Sequence, residues 1–370
     1  PEAVDAHGRD ALRAQLLGHE QQGQDVTMSS DMTGVETVRE RLDVVWNTCR
    51  FATLFMAEDD YVPAVPLETR APDRAVPDEW VLARLREVTG TATAALEERE
   101  PNVALDAVLD YLVEDVSRYY VQTVRDRVWA PAATADRRAA YDTLGTVLGA
   151  CVRLLAPFVP HLAERLYRAL DSPGRTGEPT VHATDWPDAD ALALPERPAL
   201  LADVEALREV EGAVATARQR LGRKHRWPVL EVVVETGDER VAQAVETHRE
   251  LFAERVNADA VRVTDEYADR ERVVEPEMDA LGPAFREDAD AVAAAVAGRP
   301  ASDLPVTVTV AGDDRGERAA ADDHDGDGGA TPDGREYEVT RDQVAVVDRV
   351  PDEVVATDFE RGSVYVDGRL

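Results

Sequence analysis

Apolar residues that recur alternately every four and every three positions, over stretches far longer than the links between them, constrain this chain most. Val38, Leu42, Val45, Cys49, Ala52 and Met56 follow that rhythm, which marks one face of an α-helix. The pattern predicts a long helix beginning near Val35, then helices over 78–98, 101–129 and 135–155. Pro101 suits a first helical turn. Pro157 and Pro160 end the fourth helix, and a short one at 161–170 follows. A short helix over 4–17 and a Gly- and Gln-rich loop come first. The stretch 61–77 holds four prolines and reads as a connector. Long helices with short links predict a helical bundle.

After Pro187 the pattern changes. A helix is expected over 198–221, a strand over 229–235, a helix over 239–255 and a strand over 260–264, which make a small α/β unit. A helix at 284–297 and a strand at 306–310 follow. Residues 311–334 are rich in Asp, Gly and Ala with almost no apolar side chains, a composition that forms no core. Short strands are expected at 336–339, 344–347, 354–358 and 363–366. The fold class is mainly α: a helical bundle, then a smaller α/β and β-rich C-terminal region. The expected segments are 1–32, 33–190, 191–310, 311–334 and 335–370.

Formal net charge is −33, and Lys224 is the single lysine. Lysine depletion does not follow from acidity alone. It suits a cytosol of molar salt, where the Debye length shrinks to ~3 Å and self-repulsion is largely screened. Net charge therefore does not exclude a nucleic-acid partner, and local arginine clusters matter more. No apolar run reaches the ~20 residues that span a bilayer, so no membrane partner is expected. The first ten residues are polar and carry no secretory signal. The chain starts at Pro1, so it is either processed or begins inside a longer reading frame. Cys49 and Cys151 form no CxxC pair and no His pair has ligand spacing, so no metal site is expected.

Two clusters could bind a ligand. At ~100° per residue, Leu105, Leu109, Leu112, Val116 and Tyr120 fall on one side of the third helix. Arg118, Gln122, Arg125 and Trp129 fall in a stripe opposite. Guanidinium groups and an exposed indole suit RNA phosphates and bases. Geometry alone favours the plainer alternative, a solvated face whose arginines pair with acids such as Glu114 and Asp126. The second cluster is Arg218, Arg220, Arg223, Lys224, His225, Arg226 and Trp227, from which Arg223, Lys224, Arg226 and Trp227 are the expected contacts. A basic patch in so acidic a chain suits phosphate; the alternative is a helix C-terminus whose cations complement the macrodipole.

Other motifs are weak. Asp323, Asp325, Asp327 and Gly328 copy half of an EF-hand loop, but its twelfth position is Gly334 rather than Glu. There is no P-loop, no GxGxxG and no nucleophile–base arrangement, so no catalytic residue is assigned.

Several segments resemble a known family. Residues 115–129 (DVSRYYVQTVRDRVW) resemble the anticodon-binding helix of class I aminoacyl-tRNA synthetases for branched aliphatic amino acids. Residues 46–51 (WNTCRF) are similar to that domain's first helix, 154–167 (LLAPFVPHLAERLY) to its last-helix signature, and 181–187 (VHATDWP) to its closing segment. Residues 222–229 (GRKHRWPV), 281–285 (LGPAF) and the β-rich tail resemble the isoleucine type of the archaeal and eukaryotic branch. Residues 7–13 (HGRDALR) look like the stem-contact segment downstream of the KMSKS loop. Neither that loop nor the HIGH motif is present, nor is the zinc motif of bacterial members. The resemblance implies isoleucine tRNA as partner, with no DNA, and a cytoplasmic location. ATP, magnesium, activation and editing are implied only for a parent enzyme, whose catalytic domain lies upstream in the same or a separate chain. A valine- or leucine-type region, or a freestanding tRNA-binding or protein-interaction module, are the rivals.

Overall fold

A computed structural model describes residues 2–18, 32–62, 74–129, 134–170, 177–311, 334–351 and 353–369. The loop at 19–31, most of the proline-rich connector, and the acidic stretch with its EF-hand-like aspartates lie outside the described residues. The chain divides into two compact units, 1–205 and 206–370. It is mainly α, with its sheets confined to the second unit.

The first unit is helical. Helices α1 (Glu2–His7) and α2 (Arg9–Leu17) meet at Gly8, whose φ of 85° breaks the single helix expected there. α3 (Thr33–Glu58) buries Val35, Leu42, Val45, Cys49, Ala52 and Met56, nearly the set that the spacing picks out. α4 spans Val76–Glu97 and starts with proline in its first turn. A continuous rod then runs through α5 (Pro101–Asp110), a ten-residue π-helical segment (Tyr111–Tyr120) and α6 (Val121–Trp129). α7 (Ala135–Leu155) is capped by the Thr134 hydroxyl, which accepts from the Arg137 N–H at 3.1 Å. α8 spans Pro160–Ala169. One core joins them, with Trp80, Tyr111, Tyr120, Tyr141, Phe158 and Tyr167 its largest buried side chains.

The π-helical segment departs from the uniform α-helix expected over 101–129. Its end is marked by the Val121 N–H bonding to the Val116 carbonyl, five residues back. Along the rod Asp106, Asp110, Arg118, Gln122 and Asp126 stay exposed in steps of four or eight, with Glu114 half-exposed between them. Four α-helical residues turn ~400°, so such a stripe would creep ~40° per step. The wider π turns offset that creep and keep the stripe facing outward.

Asp78 fastens the rod to its neighbours. It is fully buried in the first turn of α4. It accepts from the Ala75 N–H at 2.9 Å, the Tyr120 hydroxyl at 2.6 Å and both terminal nitrogens of Arg127 at 2.9 and 2.8 Å. Arg127 also donates to the Asp136 carbonyl at 2.9 Å, at the start of α7. Burial opposes the Arg127 charge, but the Asp78 contacts outweigh it and hold its pKa above the ordinary value. Burial also pushes the Tyr120 phenol well up. A second tie closes the far end of α3: the Tyr141 hydroxyl donates to Asp59 at 2.6 Å and accepts from Arg137 at 3.0 Å.

In the second unit, α9 (Pro198–Arg220), in which the division falls, leads to β1 (Val229–Glu235). The helix expected over 239–255 breaks at His248 into α10 (Glu239–Thr247) and α11 (Arg249–Val256). These cross over to β2 (Ala258–Thr264), parallel to β1. An inserted α+β piece follows. β3 (Glu271–Pro276) pairs with β6 (Val344–Arg349), and β4 (Val306–Ala311) with β5 (Gly334–Val339). Helices α12 (Met278–Phe285) and α13 (Ala289–Val296) complete a separate core around Val274, Leu281, Val292 and Val308. The single helix expected over 284–297 is broken because Arg286 takes a φ of 51°. β7 (Val354–Phe359) and β8 (Gly362–Asp367) return to the first sheet, whose order is β2-β1-β8-β7.

Two outcomes are expected. Asp78→Ala would leave the Arg127 guanidinium with only the more exposed Asp136 carboxylate, 2.8 Å away, and lower stability by ~3 kcal/mol, measured by denaturant unfolding of the full chain. The second concerns Glu164, which accepts from the Thr180 hydroxyl at 2.7 Å and the Val181 N–H at 2.9 Å. The hydroxyl bond first, then the amide and Arg168, bring its carboxyl down from 4.5 to about 2. Its folded pKa lies below its unfolded one, so its contribution is complete above pH 4.5 and disappears as the pH falls towards 2. Glu164→Gln should therefore flatten the stability profile across that window.

Candidate nucleic-acid interface

In the first unit the rod sorts its own surface. At its N-terminal half Arg41 of α3 neutralises Asp106 and Asp110, at 3.2 and 2.5 Å. At its C-terminal half the predicted stripe is brought together on one face. Arg118 is exposed and tied to Glu114 at 2.5 Å, four residues back. Gln122 is exposed beside it. Arg125 is half-buried and its guanidinium lies 5.2 Å from the centroid of the Trp129 ring, a cation–π contact. The Arg125 Nε–H is buried and has no acceptor, and among the described residues Arg125 makes no ion pair. Trp129 ends α6 with 53% of its surface exposed, while Val124 and Val128 beneath it are buried. Arg127, between the two, turns the other way to Asp78. The stripe thus holds one cation already spent on an acid, an amide, and an arginine–indole pair that has no acid partner among the described residues.

In the second unit the basic cluster separates by role. α9 ends at Gly222, whose φ of 67° supplies the left-handed turn that stops a helix. Arg218 is only 3% exposed. Its guanidinium donates to the carbonyls of Val256 at 3.2 Å, Asn257 at 3.3 Å, Lys224 at 3.1 Å, His225 at 3.2 Å and also Trp227. Arg220 donates to the Ala356 carbonyl at 3.2 Å, and Arg223 to the Gly368 carbonyl. The expected contact Arg223 is therefore half-buried and engaged with the C-terminal backbone. Lys224, Arg226 and Trp227 are exposed, with the Arg226 guanidinium 5.8 Å from the Trp227 ring centroid. Trp227 is 51% and Leu230 40% exposed. His225 Nε2 lies 2.8 Å from the Arg255 carbonyl, and the Asn257 amide donates to the His225 carbonyl at 2.6 Å.

The role of Arg218 is the residue that counting cations missed. The signal was present: Leu207, Val210, Val214, Ala217 and Leu221 follow helical spacing, and Arg218 falls on that same buried face of α9. Among the described residues no group of His, Cys, Asp and Glu could hold a metal ion, and no helix is long and apolar enough to cross a membrane. Cys49 and Cys151 are buried free thiols, and burial pushes Cys49 up to about 12.

Residues 78–234 match the family described as the anticodon-binding domain of tRNA ligase. The isoleucine–tRNA ligase of Haloquadratum walsbyi is 38% identical over 100% of this chain and 32% of its own length. That of Haloarcula marismortui is 42% identical over 79% of this chain and 27% of its own. That of Pyrococcus abyssi is 32% identical over 100% of this chain and 32% of its own. A solved LeuRS–tRNA–LeuAMS ternary complex from Agrobacterium radiobacter K84 is similar over 52% of this chain and 22% of its own, at 20% identity and a TM-score of 0.39. The chain spans about a third of the length of the curated relatives it matches. Its 78–234 segment belongs to the anticodon-binding domain family of tRNA ligases, and the chain is related along its whole length to archaeal isoleucine–tRNA ligases.

Proposed function

We propose that this chain is the tRNA-reading region of an isoleucine–tRNA ligase and that its first unit holds the anticodon stem-loop. The observation that carries this reading is the Arg125–Trp129 pair: a guanidinium with no ion pair among the described residues, laid on a half-exposed indole at the end of a helix inside the segment that matches the anticodon-binding family. An unpaired base stacks on the indole, and Arg125, Gln122 and Arg118 address phosphate and base edges. Residues 1–32 contact the tRNA stem. Lys224, Arg226 and Trp227 add contacts from the second unit, with Arg223 supporting them. ATP, magnesium and the charging of tRNA with isoleucine belong to the catalytic part of the parent ligase. The acidic, lysine-poor surface fits a cytosol of molar salt, as does relatedness to ligases of halophilic archaea.

Under those conditions counterion release contributes less, so stacking and hydrogen bonds carry more of the affinity. Trp129→Ala should weaken binding of an isoleucine tRNA transcript in molar KCl about tenfold, within the range of one base stack. Stability should shift by less than ~0.5 kcal/mol, because the ring is largely outside the core. Unchanged affinity would remove the stripe from the interface. Equal binding of valine and leucine tRNAs would remove the isoleucine assignment.

A further inference from the structure

The loop after α9 is built in a way that its composition does not announce. In a trans peptide the carbonyl of one residue and the N–H of the next point in opposite directions. Arg218 draws the carbonyls of Lys224 and His225 inward. The N–H groups of His225 and Arg226 therefore face away from it, and neither has an acceptor among the described residues. The third loop carbonyl held by Arg218 belongs to Trp227. The residue after it is Pro228, which has no N–H to leave unsatisfied. Two neighbouring outward amides form an anion-binding concavity of the kind known from backbone nests. Here they lie between the exposed side chains of Lys224 and Arg226, next to a half-exposed Trp227.

The framework behind these amides is held by one guanidinium. Arg218 is buried, has no carboxylate partner among the described residues and donates through its two terminal nitrogens to five backbone carbonyls, while its Nε–H finds no acceptor there. Burial, and then the nearby Arg223 charge, lower its pKa. The Asn257 amide holds the His225 carbonyl from one side, and the Trp227 N–H closes a turn on the Lys224 carbonyl at 3.0 Å. A loop held this way loses little freedom on binding, which favours affinity.

We propose that residues 224–227 are a preformed site for one RNA phosphate, bound by the His225 and Arg226 amides with Lys224 and Arg226, and with a neighbouring unpaired base on Trp227. Arg218 is its positioning residue, acting through the backbone and touching no ligand. The proposal rests on the tRNA-binding reading and adds to it a site in the second unit that works independently of Trp129.

Hydrogen exchange of the full chain, read by mass spectrometry with and without an isoleucine tRNA transcript, tests it. The amides at 225 and 226 should exchange fast in the free chain and slow when tRNA is bound. Arg218→Met should abolish that protection and weaken binding about tenfold. It should also reduce the slope of log K against log[KCl] by ~0.7–0.9, one phosphate contact, although no exposed cation has been removed. Arg226→Ala leaves the Arg218 framework in place and should lose the same protection, which covers the case in which Arg218→Met misfolds. Unprotected loop amides in a chain that binds tRNA through Trp129 would overturn the site while leaving the tRNA reading intact. Weaker binding by Arg218→Met with an unchanged salt slope would overturn the positioning role. Failure of the wild-type chain to bind tRNA at all would overturn both readings.

Discussion

The first unit depends on one buried carboxylate. Asp78 sits at the start of α4, yet its partners come from the end of the π-helical segment, from α6 and, through Arg127, from the start of α7. A charge in that position is tolerable only because every lone pair is used and the opposite charge is adjacent. The consequence is geometric. Arg127 cannot rotate outward, so the residues on either side of it in the helical pattern, Arg125 and Trp129, are the ones presented to solvent. The proposed RNA-facing pair and the internal fastening are two faces of the same nine-residue helix, α6.

Charge is managed the same way throughout. In a chain of net charge −33, acids greatly outnumber the arginines that could neutralise them. Many arginines are nonetheless consumed internally: Arg41 by Asp106 and Asp110, Arg84 by Asp115 at 3.1 Å, Arg255 by Glu211 at 2.7 Å and Arg361 by Glu209 at 2.6 Å. The partly buried ones, such as Arg255 with Glu211, survive screening better than the exposed ones, such as Arg41 with Asp110. Against that background the cations left without an acid stand out more than their number suggests. Arg125, Lys224 and Arg226 are among those that form no ion pair among the described residues, and these two arginines, like Arg165 beside Trp46, lie against a tryptophan.

How much of this was legible in the sequence follows from the range of the forces involved. The long helices were, because a three-four rhythm of apolar residues is a local record of which face is buried; α7 is bounded as expected, at Ala135–Leu155. The breaks were not. Gly8, His248 and Arg286 each interrupt a helix that local pattern would continue, since one residue's dihedral angle hardly alters hydrophobic period. The strand Glu271–Pro276 was missed because its alternation is short and ends in proline; it exists through pairing with Val344–Arg349, some seventy residues away. The π-helical segment was invisible for a related reason: its extra width shows only when exposed positions are followed over five turns.

The candidate sites show the same limit in chemical form. Arginine reads as a surface cation because its usual partners are carboxylates, phosphates and water. A guanidinium also has five donors in a rigid fork, and backbone carbonyls can satisfy all of them without any opposite charge. Arg218 uses that option with both terminal nitrogens, leaving its buried Nε–H without an acceptor among the described residues; Arg220 and Arg223 use it in part, and Arg226 does not. Counting positive residues between 218 and 227 therefore overstates the charge available to a ligand and hides the order imposed on what remains. The cations removed from the surface are the ones that shape it: by gathering carbonyls inward they turn amides outward, so the interior arginine adds to the positive character of the loop through peptide dipoles rather than through its own exposed charge.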